Sequence, residues 1–215
     1  MTPNPALNAA PLLQARDLVF TRNDEPVFGP LDFSLGKGET LLVEGDNGSG
    51  KTTLLRVLAG LLPVTGGEIF VGGLRADRDA RAGKLLLLGH HPGMKNDLSA
   101  RENLAFLAGL YGTRDGASIE SALQDVVLSA WIDAPLRALS TGQKKRVTLA
   151  RLTLLRGEVW LLDEPYANLD RRGIDLVNAL VAAHCARGGA ALLTSHGAVR
   201  FADPNARHVH LMLAA

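Results

Sequence analysis

Apolar runs bounded by turn residues recur along the chain, and they predict the strands of the fold. The runs Thr40–Glu44, Leu85–Leu88 and Val159–Leu162 indicate buried strands. The last is apolar on both faces, which is typical of a central parallel strand. Other runs predict strands at 13–20, 31–35, 69–71, 190–194 and about 208–213.

Helical periodicity fills several of the segments between these runs. It predicts helices at 53–60, 142–155 and about 171–186. Between about 97 and 135 the pattern is helical with few strand signals. One helix there is expected to begin after Asp97 or Ser99 and to end at Gly109 or Gly112. A second helix is marked by four apolar positions: Ile119, Leu123, Val126 and Val127.

The alternation of strands and helices predicts an α/β core that is interrupted by a small helical lobe near 90–140. The charged stretch 75–81 is expected to be a solvated loop.

Composition and charge limit the class of protein, its partners and its compartment. Of 215 residues, 47% are hydrophobic and 21% are charged, as in ordinary globular proteins. The net charge of +1 gives no reason to expect nucleic acid as a partner. The single cysteine, Cys185, excludes an internal disulfide and indicates a reducing compartment, and a buried structural thiol is expected.

No apolar run has the length of a membrane-spanning helix, and the N-terminus lacks a signal-peptide pattern. We therefore expect a cytoplasmic protein that reaches a membrane only through a partner.

The segment GDNGSGKTT follows the strand at 40–44 and fits the phosphate-loop pattern G-x-x-x-x-G-K-[ST]. Its three glycines let the backbone wrap N–H groups around a phosphate, and the following helix N-terminus adds partial positive charge. Lys51 supplies a cation to the β- and γ-phosphates, and the Thr52 hydroxyl is placed for Mg²⁺. The candidate binding residues are Gly45, Asp46, Asn47, Gly48, Ser49, Gly50, Lys51, Thr52 and Thr53.

Two acids, Asp163 and Glu164, stand at the exit of the strand at 159–162. Ligands of open α/β sheets lie at the carboxyl ends of strands. Asp163 would hold Mg²⁺ opposite Lys51, and Glu164 would polarise the attacking water as general base. Acids also follow strands as helix caps, so this motif taken alone has two interpretations.

The turn LSTGQ, residues 139–143, opens a further predicted helix. Ser140 and Gly142 would form a second phosphate-binding helix N-terminus, although an ordinary serine N-cap explains the same residues. The basic residues that follow are interpreted as a solvated face: Lys144, Lys145 and Arg146.

These segments, together with Asn168-Leu-Asp170 and Thr194-Ser-His196, occur in the order seen in ATP-binding cassette ATPases, which the chain resembles from about residue 13 to 213. The resemblance implies a P-loop NTPase (RecA-like) α/β core with an antiparallel β subdomain and an inserted helical subdomain. It also implies ATP and Mg²⁺ as cofactors and a head-to-tail homodimer.

By the same resemblance, Ser140 and Gly142 contact the γ-phosphate held by the Lys51 loop of a second copy. Asp170 lies at the dimer seam. His196 contacts the γ-phosphate and helps to hold Glu164 and the water, so it joins Glu164 and Lys51 as a catalytic candidate.

Other details resemble a narrower family, the haem-exporter ATPases of cytochrome c maturation. They are the loop GHHPGMK at 89–95, the run DEPYANLD at 163–170 and the threonine in LSTGQ. His90 takes the position at which most cassettes place a glutamine that contacts Mg²⁺. This resemblance implies integral membrane permease subunits of the CcmB and CcmC type as partners, docked on the helical lobe at the cytoplasmic face of the cell inner membrane.

The adenine contact stays open at this point. Arg22 stands where cassettes usually place an aromatic residue that stacks on the base, and Phe20 lies two residues earlier. A guanidinium can also stack on a base.

We expect a single cassette over 12–215, with a nucleotide-binding core at 12–89 and 137–215, a helical subdomain at 90–136 and a flexible tail at 1–11. The alternatives are an ATPase subunit for another transported substrate and a soluble cassette ATPase without a transport role. The soluble class usually carries a fused cassette or a coiled-coil insertion, and neither fits in this chain. A P-loop kinase or regulator is disfavoured by the LSTGQ turn.

Overall fold

The structure is a computed structural model that describes residues 10–89, 93–128, 130–195 and 207–210. Its strands are β1 (Leu13–Arg22), β2 (Glu25–Leu35), β3 (Thr40–Glu44), β4 (Gly66–Val71), β5 (Leu74–Arg75), β6 (Leu85–Leu88), β7 (Val159–Leu162), β8 (Ala190–Ser195) and β9 (Arg207–His210). Its helices are α1 (Lys51–Leu58), α2 (Arg78–Arg81), α3 (Ala100–Tyr111), α4 (Ile119–Asp125), α5 (Thr141–Leu154) and α6 (Arg171–Ala186).

The strands form one antiparallel and one parallel sheet. The antiparallel sheet has the order β2-β1-β4-β5, and the parallel sheet has the order β6-β7-β8-β3-β9. Because the parallel strands share one direction, the carboxyl ends of β3, β7 and β8 meet at one edge. The phosphate loop leaves β3 at that edge, and Asp163 leaves β7 there.

Alternating residues of the parallel sheet enter two separate apolar cores. In β7, Val159 and Leu161 pack with α1 and the antiparallel sheet. Trp160 and Leu162 pack on the other face with apolar residues of α3, α4, α5 and α6. Both faces of the sheet are therefore covered, which explains why its strands are near-continuous apolar runs. The α/β prediction is confirmed.

Helix boundaries differ from the sequence prediction at places that affect the site. Helix α1 begins at Lys51 rather than at 53, so Lys51 and Thr52 lie in its first turn. Helix α4 ends at Asp125, and Val127 has a positive φ of 55° and is exposed. The prediction that Val126 and Val127 belong to this helix was wrong.

The charged stretch 75–81 is not a solvated loop. It contains the end of β5 and the short helix α2, which is capped by the Asp77 side chain. The Arg81 guanidinium donates to the carbonyl oxygens of Leu58, at 3.0 Å, and Ala76, at 2.6 Å. Arg81 thus satisfies a carbonyl at the end of α1, a tertiary role that its local sequence does not reveal.

Two other expectations need correction. Strand β2 begins at Glu25, six residues before the predicted start at 31. Cys185 is half-buried rather than buried, and its thiol lies 3.5 Å from the Thr40 hydroxyl.

Across the part of the chain that the structure describes, no helix is both long and apolar enough to cross a membrane.

Candidate active site

The phosphate loop forms an open cradle at the start of α1. The loop backbone has a positive φ at Gly48 (88°) and Gly50 (91°) but not at Gly45. Only Gly48 and Gly50 therefore adopt a conformation that favours glycine. A Cβ added at Gly48 would meet no atom within 4 Å, so the space above the loop is free. No side chain caps α1 at Gly50, which leaves the first N–H groups of the helix available to an anion.

Two buried side chains of the loop, Lys51 and Ser49, have polar groups that fit a ligand. Lys51 is 5% exposed, and its ammonium donates to the carbonyl oxygens of Gly45 at 2.6 Å and Asp46 at 2.8 Å. The Ser49 hydroxyl is buried without a hydrogen-bond partner among the described residues. Because a buried polar group without a partner is costly, this hydroxyl fits a site that a polar ligand completes.

Asp163 joins the phosphate loop to the neighbouring strands. The Thr52 hydroxyl lies 2.9 Å and 3.1 Å from its two carboxylate oxygens, and the Thr194 hydroxyl donates to one of them at 3.0 Å. The Asp163 N–H donates to Leu88 O on β6 at 2.8 Å. Asp163 is only 4% exposed, so these contacts fix its orientation. Hydroxyl and carboxylate oxygens are the ligands that Mg²⁺ prefers, and Thr52 and Asp163 therefore fit a magnesium site.

Glu164 follows directly and turns toward the same space. Its backbone has a positive φ of 47°, and its N–H donates to the Thr194 hydroxyl at 2.9 Å. One threonine thus orients both acids. The sequence names Thr194 only as part of the Thr194-Ser-His196 motif and does not reveal this role, although a hydroxyl at the end of an apolar run was a usable signal.

A cavity of about 460 Å³ opens above the loop. Lys51, Thr52 and Glu164 line one part of it, and Arg22 and Val27 line the part near the β1–β2 turn. Phe20 is absent from its lining, because that ring is buried and stacked on Phe28 with centroids 6.0 Å apart. Of the two base-contact candidates, Arg22 is therefore the one placed at the cavity.

The LSTGQ turn lies apart from this cavity. Ser140 is the N-cap of α5: its hydroxyl accepts from Gln143 N at 3.2 Å, and its N–H donates to Gln143 Oε1 at 2.8 Å. Ser140 and Gly142 are exposed, and neither lines the cavity. Asp170 is the N-cap of α6 and accepts from Gly173 N at 2.8 Å. Within one chain, the predicted residues thus form one cluster at the phosphate loop and a separate, exposed pair of helix caps.

The basic run after LSTGQ is not simply a solvated face. All three side chains are half-buried, and Arg146 donates to Val126 O at 2.8 Å. Burial lowers the pKa of the Lys145 ammonium, and the nearby charges of Asp163 and Glu164 oppose that shift. The prediction of a solvated face was wrong, because helix α5 packs against other elements of the chain.

The predicted residues His90 and His196 lie outside the described residues.

Comparison with known proteins shows the family to which the chain belongs. The family model for ABC transporters matches residues 28–167 of the chain. The match spans more than half of the chain, and the chain belongs to the ABC transporter family. A putative ABC transporter ATP-binding protein from Pyrococcus furiosus has a similar solved structure, with a TM-score of 0.79, 25% identity and coverage of 94% of this chain and 99% of that one.

Within this family, the chain is similar over almost its whole length to proteins of one type. The chain is 57% identical over 212 residues to the cytochrome c biogenesis ATP-binding export protein CcmA of Xanthomonas campestris, covering 99% of this chain and 98% of that protein. It is 45% identical over 208 residues to the CcmA of Xylella fastidiosa, covering 96% and 97%. The predicted family is confirmed, and so is the predicted resemblance to the cytochrome c branch.

Proposed function

We propose that this chain is the ATP-hydrolysing subunit of an export complex that serves cytochrome c maturation, with haem as the candidate cargo. The full-length similarity to CcmA proteins supports the process. The observation that carries the chemistry is the direct contact of Thr52, in the phosphate loop, with the buried Asp163. This contact brings a phosphate cradle and two oxygen ligands for Mg²⁺ to one point.

Each side chain has a proposed role in hydrolysis. Lys51 exchanges its two carbonyl partners for the β- and γ-phosphates of ATP, and the loop N–H groups hold the remaining phosphate oxygens. Thr52 and Asp163 hold Mg²⁺, which when bound neutralises charge on the phosphates. Glu164 accepts a proton from the attacking water. In this proposal His196 contacts the γ-phosphate and helps to hold Glu164 and the water, and His90 takes the place of the glutamine that contacts Mg²⁺ in most cassettes.

The exposure of the Ser140–Gly142 turn supports a site that a second copy completes. We propose a head-to-tail homodimer in which Ser140 and Gly142 of one copy contact the γ-phosphate bound by the other, with Asp170 at the seam. A serine that caps a helix can still donate its hydroxyl proton, because a hydroxyl has one donor and two acceptor positions. Capping and phosphate binding by Ser140 are thus compatible.

The Glu164→Gln variant tests this assignment. It should bind ATP, fail to turn it over, and accumulate as an ATP-bound dimer in light scattering coupled to size exclusion. The fully exposed Asp115 supplies the matched control, and Asp115→Asn should behave as wild type. A Glu164→Gln variant that binds ATP but stays monomeric would contradict the dimeric cassette.

A groove beside the site is the proposed dock for membrane permease subunits of the CcmB and CcmC type. Two adjacent cavities, of about 310 and 620 Å³, share Leu61, Leu87, Tyr111 and Arg151. The first reaches Thr52 and Asp163. Tyr111 and the neighbouring Leu110 are about 60% exposed on the helical lobe. An apolar partner segment in this groove would lie next to the metal site at the cytoplasmic face of the inner membrane.

Co-purification from detergent-solubilised membranes tests the dock and the transport role together. Wild type should recover a co-expressed CcmB-type subunit, and the Leu110→Asp, Tyr111→Asp double variant should lose it. Val127→Asp is the control, because Val127 is 73% exposed and lines neither cavity. Failure of wild type to recover any polytopic subunit would favour the soluble cassette ATPase instead.

A further inference from the structure

The larger cavity of the groove beside the site combines an apolar floor with basic side chains. It has a volume of about 620 Å³, and six leucines line it. No acidic residue among those that the structure describes lines this cavity, whereas four arginines do: Arg78, Arg81, Arg151 and Arg156. The adjoining smaller cavity adds Arg56. The acid that lines the smaller cavity, Asp163, already accepts hydrogen bonds from Thr52 and Thr194.

Helix α2 shows how the fold gathers these charges. Acids and arginines are mixed in its sequence, DRDAR at 77–81. Arg78 and Arg81 are three residues apart, so they share one face of the helix, and both line the cavity. Asp77 caps the helix by accepting from Ala80 N at 2.7 Å, and the exposed Asp79 does not line the cavity. The positive side chains of α2 thus lie at the groove, and the negative ones do not.

The chain gives these arginines little compensating charge. The Arg78 side chain has no hydrogen-bond or ion-pair partner within the described part of the chain. The guanidinium of Arg81 donates to backbone carbonyl oxygens, and burial lowers its pKa despite the nearby charge of Asp77. Arg156 lies 3.9 Å from Asp115, whose full exposure lets water screen the pair. The groove therefore holds positive charge beside apolar surface.

Arginines near the helical lobe are treated differently by the fold. Arg101 contacts both Glu120 and Asp133, and Arg137 contacts Asp97. The whole chain has 23 lysines and arginines against 22 acidic residues, so basic residues are not in general excess. The unbalanced cluster at the groove is therefore a product of the fold and not of the composition.

We propose that the groove selects a cytoplasmic segment of the membrane subunit in which acidic side chains flank apolar ones. The inference rests on the proposed function and gives the chemistry of the partner that docks here. Apolar side chains of the segment cover the leucines, and its carboxylates pair with the exposed Arg78 and Arg156. Because a guanidinium binds a carboxylate through two parallel hydrogen bonds, these arginines also fix the orientation of the segment. The two cavities adjoin and share Arg151, so a peptide segment fits the groove better than a compact anion.

Co-purification with a co-expressed CcmB-type subunit tests the charge requirement. Arg78→Glu should lower recovery of the subunit about five- to tenfold, because like charges then meet in the groove. Arg75→Glu is the matched control, since Arg75 is 77% exposed and lines neither cavity. Its recovery should stay within about twofold of wild type.

Two further measurements separate lost docking from lost folding. Arg78→Glu should unfold within about 2 °C of wild type and bind ATP normally, because the native side chain makes no hydrogen bond or ion pair with described residues. Replacement of one acidic residue in the cytoplasmic loops of the membrane subunit by lysine should restore recovery with Arg78→Glu. The same replacement should lower recovery with the wild-type chain.

A peptide probe tests the chemistry without the membrane subunit. Two labelled amphipathic peptides are compared by fluorescence anisotropy, one built of leucine and glutamate and the other of leucine and glutamine. The glutamate peptide should bind wild type about tenfold more tightly. The difference should vanish in Arg78→Glu and shrink in about 0.5 M NaCl, which screens exposed charges.

Equal recovery of the subunit by wild type and Arg78→Glu, or equal binding of the two peptides, would overturn the acidic segment. Binding to phosphatidylglycerol vesicles that Arg78→Glu abolishes would assign the groove to lipid and overturn it as well. If wild type recovers no polytopic subunit but prefers the glutamate peptide, the proposed transport role fails, whereas the charge preference of the groove stands.

Discussion

The phosphate loop and the LSTGQ turn are both helix N-termini, but they differ in how they meet the rest of the chain. At α1, Gly50 provides no side-chain cap, and the loop is tied to Asp163 through Thr52. At α5, Ser140 caps its own helix and remains exposed. The first N-terminus is left open inside the chain for a ligand. The second is internally satisfied and faces outward, which is the arrangement expected when its ligand arrives on another molecule.

The largest effect is expected when the first N-terminus loses its cation, the Lys51 ammonium. Lys51→Ala should weaken ATP binding by at least about 100-fold, because charge-assisted hydrogen bonds to phosphate are each worth about 1.5–3 kcal/mol. Displacement of a fluorescent ATP analogue from the isolated chain measures this effect. Lys37→Ala, at an exposed lysine outside the site, should bind as wild type. Near-normal affinity of Lys51→Ala would remove the phosphate loop from the proposal.

A negative charge at the second N-terminus should spare ATP binding by the separated chain but impair turnover and dimer formation. Gly142→Asp should leave ATP affinity of the separated chain within about twofold, since a Cβ there meets no atom within 4 Å. Repulsion from the γ-phosphate on the second copy should lower turnover by about 100-fold and abolish ATP-dependent dimers. The matched Gly142→Ala should retain dimers. Loss of ATP affinity in the separated Gly142→Asp chain would mean that both N-termini act within one chain.

The smallest effect is expected at the opposite end of the sheet, away from both N-termini. His184 stacks on Trp160 with centroids 3.9 Å apart, and burial lowers its pKa to about 4. The unfolded chain protonates this histidine near pH 6.5, whereas the folded chain does so only near pH 4, so stability falls as the pH drops through this window. Between pH 6.5 and 5.5 the loss from this group should be about 1 kcal/mol.

Urea unfolding at pH 7.5, 6.5 and 5.5 measures the change. His184→Phe keeps an aromatic ring beside Trp160, so its unfolding free energy should vary less with pH than that of wild type. ATP affinity at pH 7.5 should be unchanged, because the residue is remote from the carboxyl edge. Equal pH dependence in the two proteins would show that His184 is not the titrating group.

Much of this organisation was readable in local sequence. Strands β3, β6, β7 and β8 were predicted because sheets covered on both faces require continuous apolar runs. Ser140 was recognised as either a cap or a phosphate ligand, since both functions need the same hydroxyl. The division of the site between two helix N-termini stays a prediction, which comes from a family resemblance and not from spacing.

Other features depend on contacts between distant segments. The order of the parallel sheet places β8, residues 190–195, beside β3, residues 40–44, and no local pattern encodes that pairing. Thr194 acquires its role because β8 also pairs with β7, with Leu162 opposite Leu193, and this second pairing brings Thr194 to Asp163 and Glu164. The local sequence predicts Arg81 to be a loop residue, whereas in the fold its guanidinium donates to Leu58 O at the end of α1.

The chemistry of the phosphate loop lies in nine consecutive residues, Gly45 to Thr53, so the amino-acid sequence is enough to predict that the chain holds a nucleotide phosphate. How distant groups meet that loop depends on the fold. Asp163, 111 residues after Thr52, contacts the Thr52 hydroxyl, and Thr194 on a third strand donates to Asp163. Short-range patterns report the conformation of a segment, whereas burial and charge are set by whatever the fold places against it.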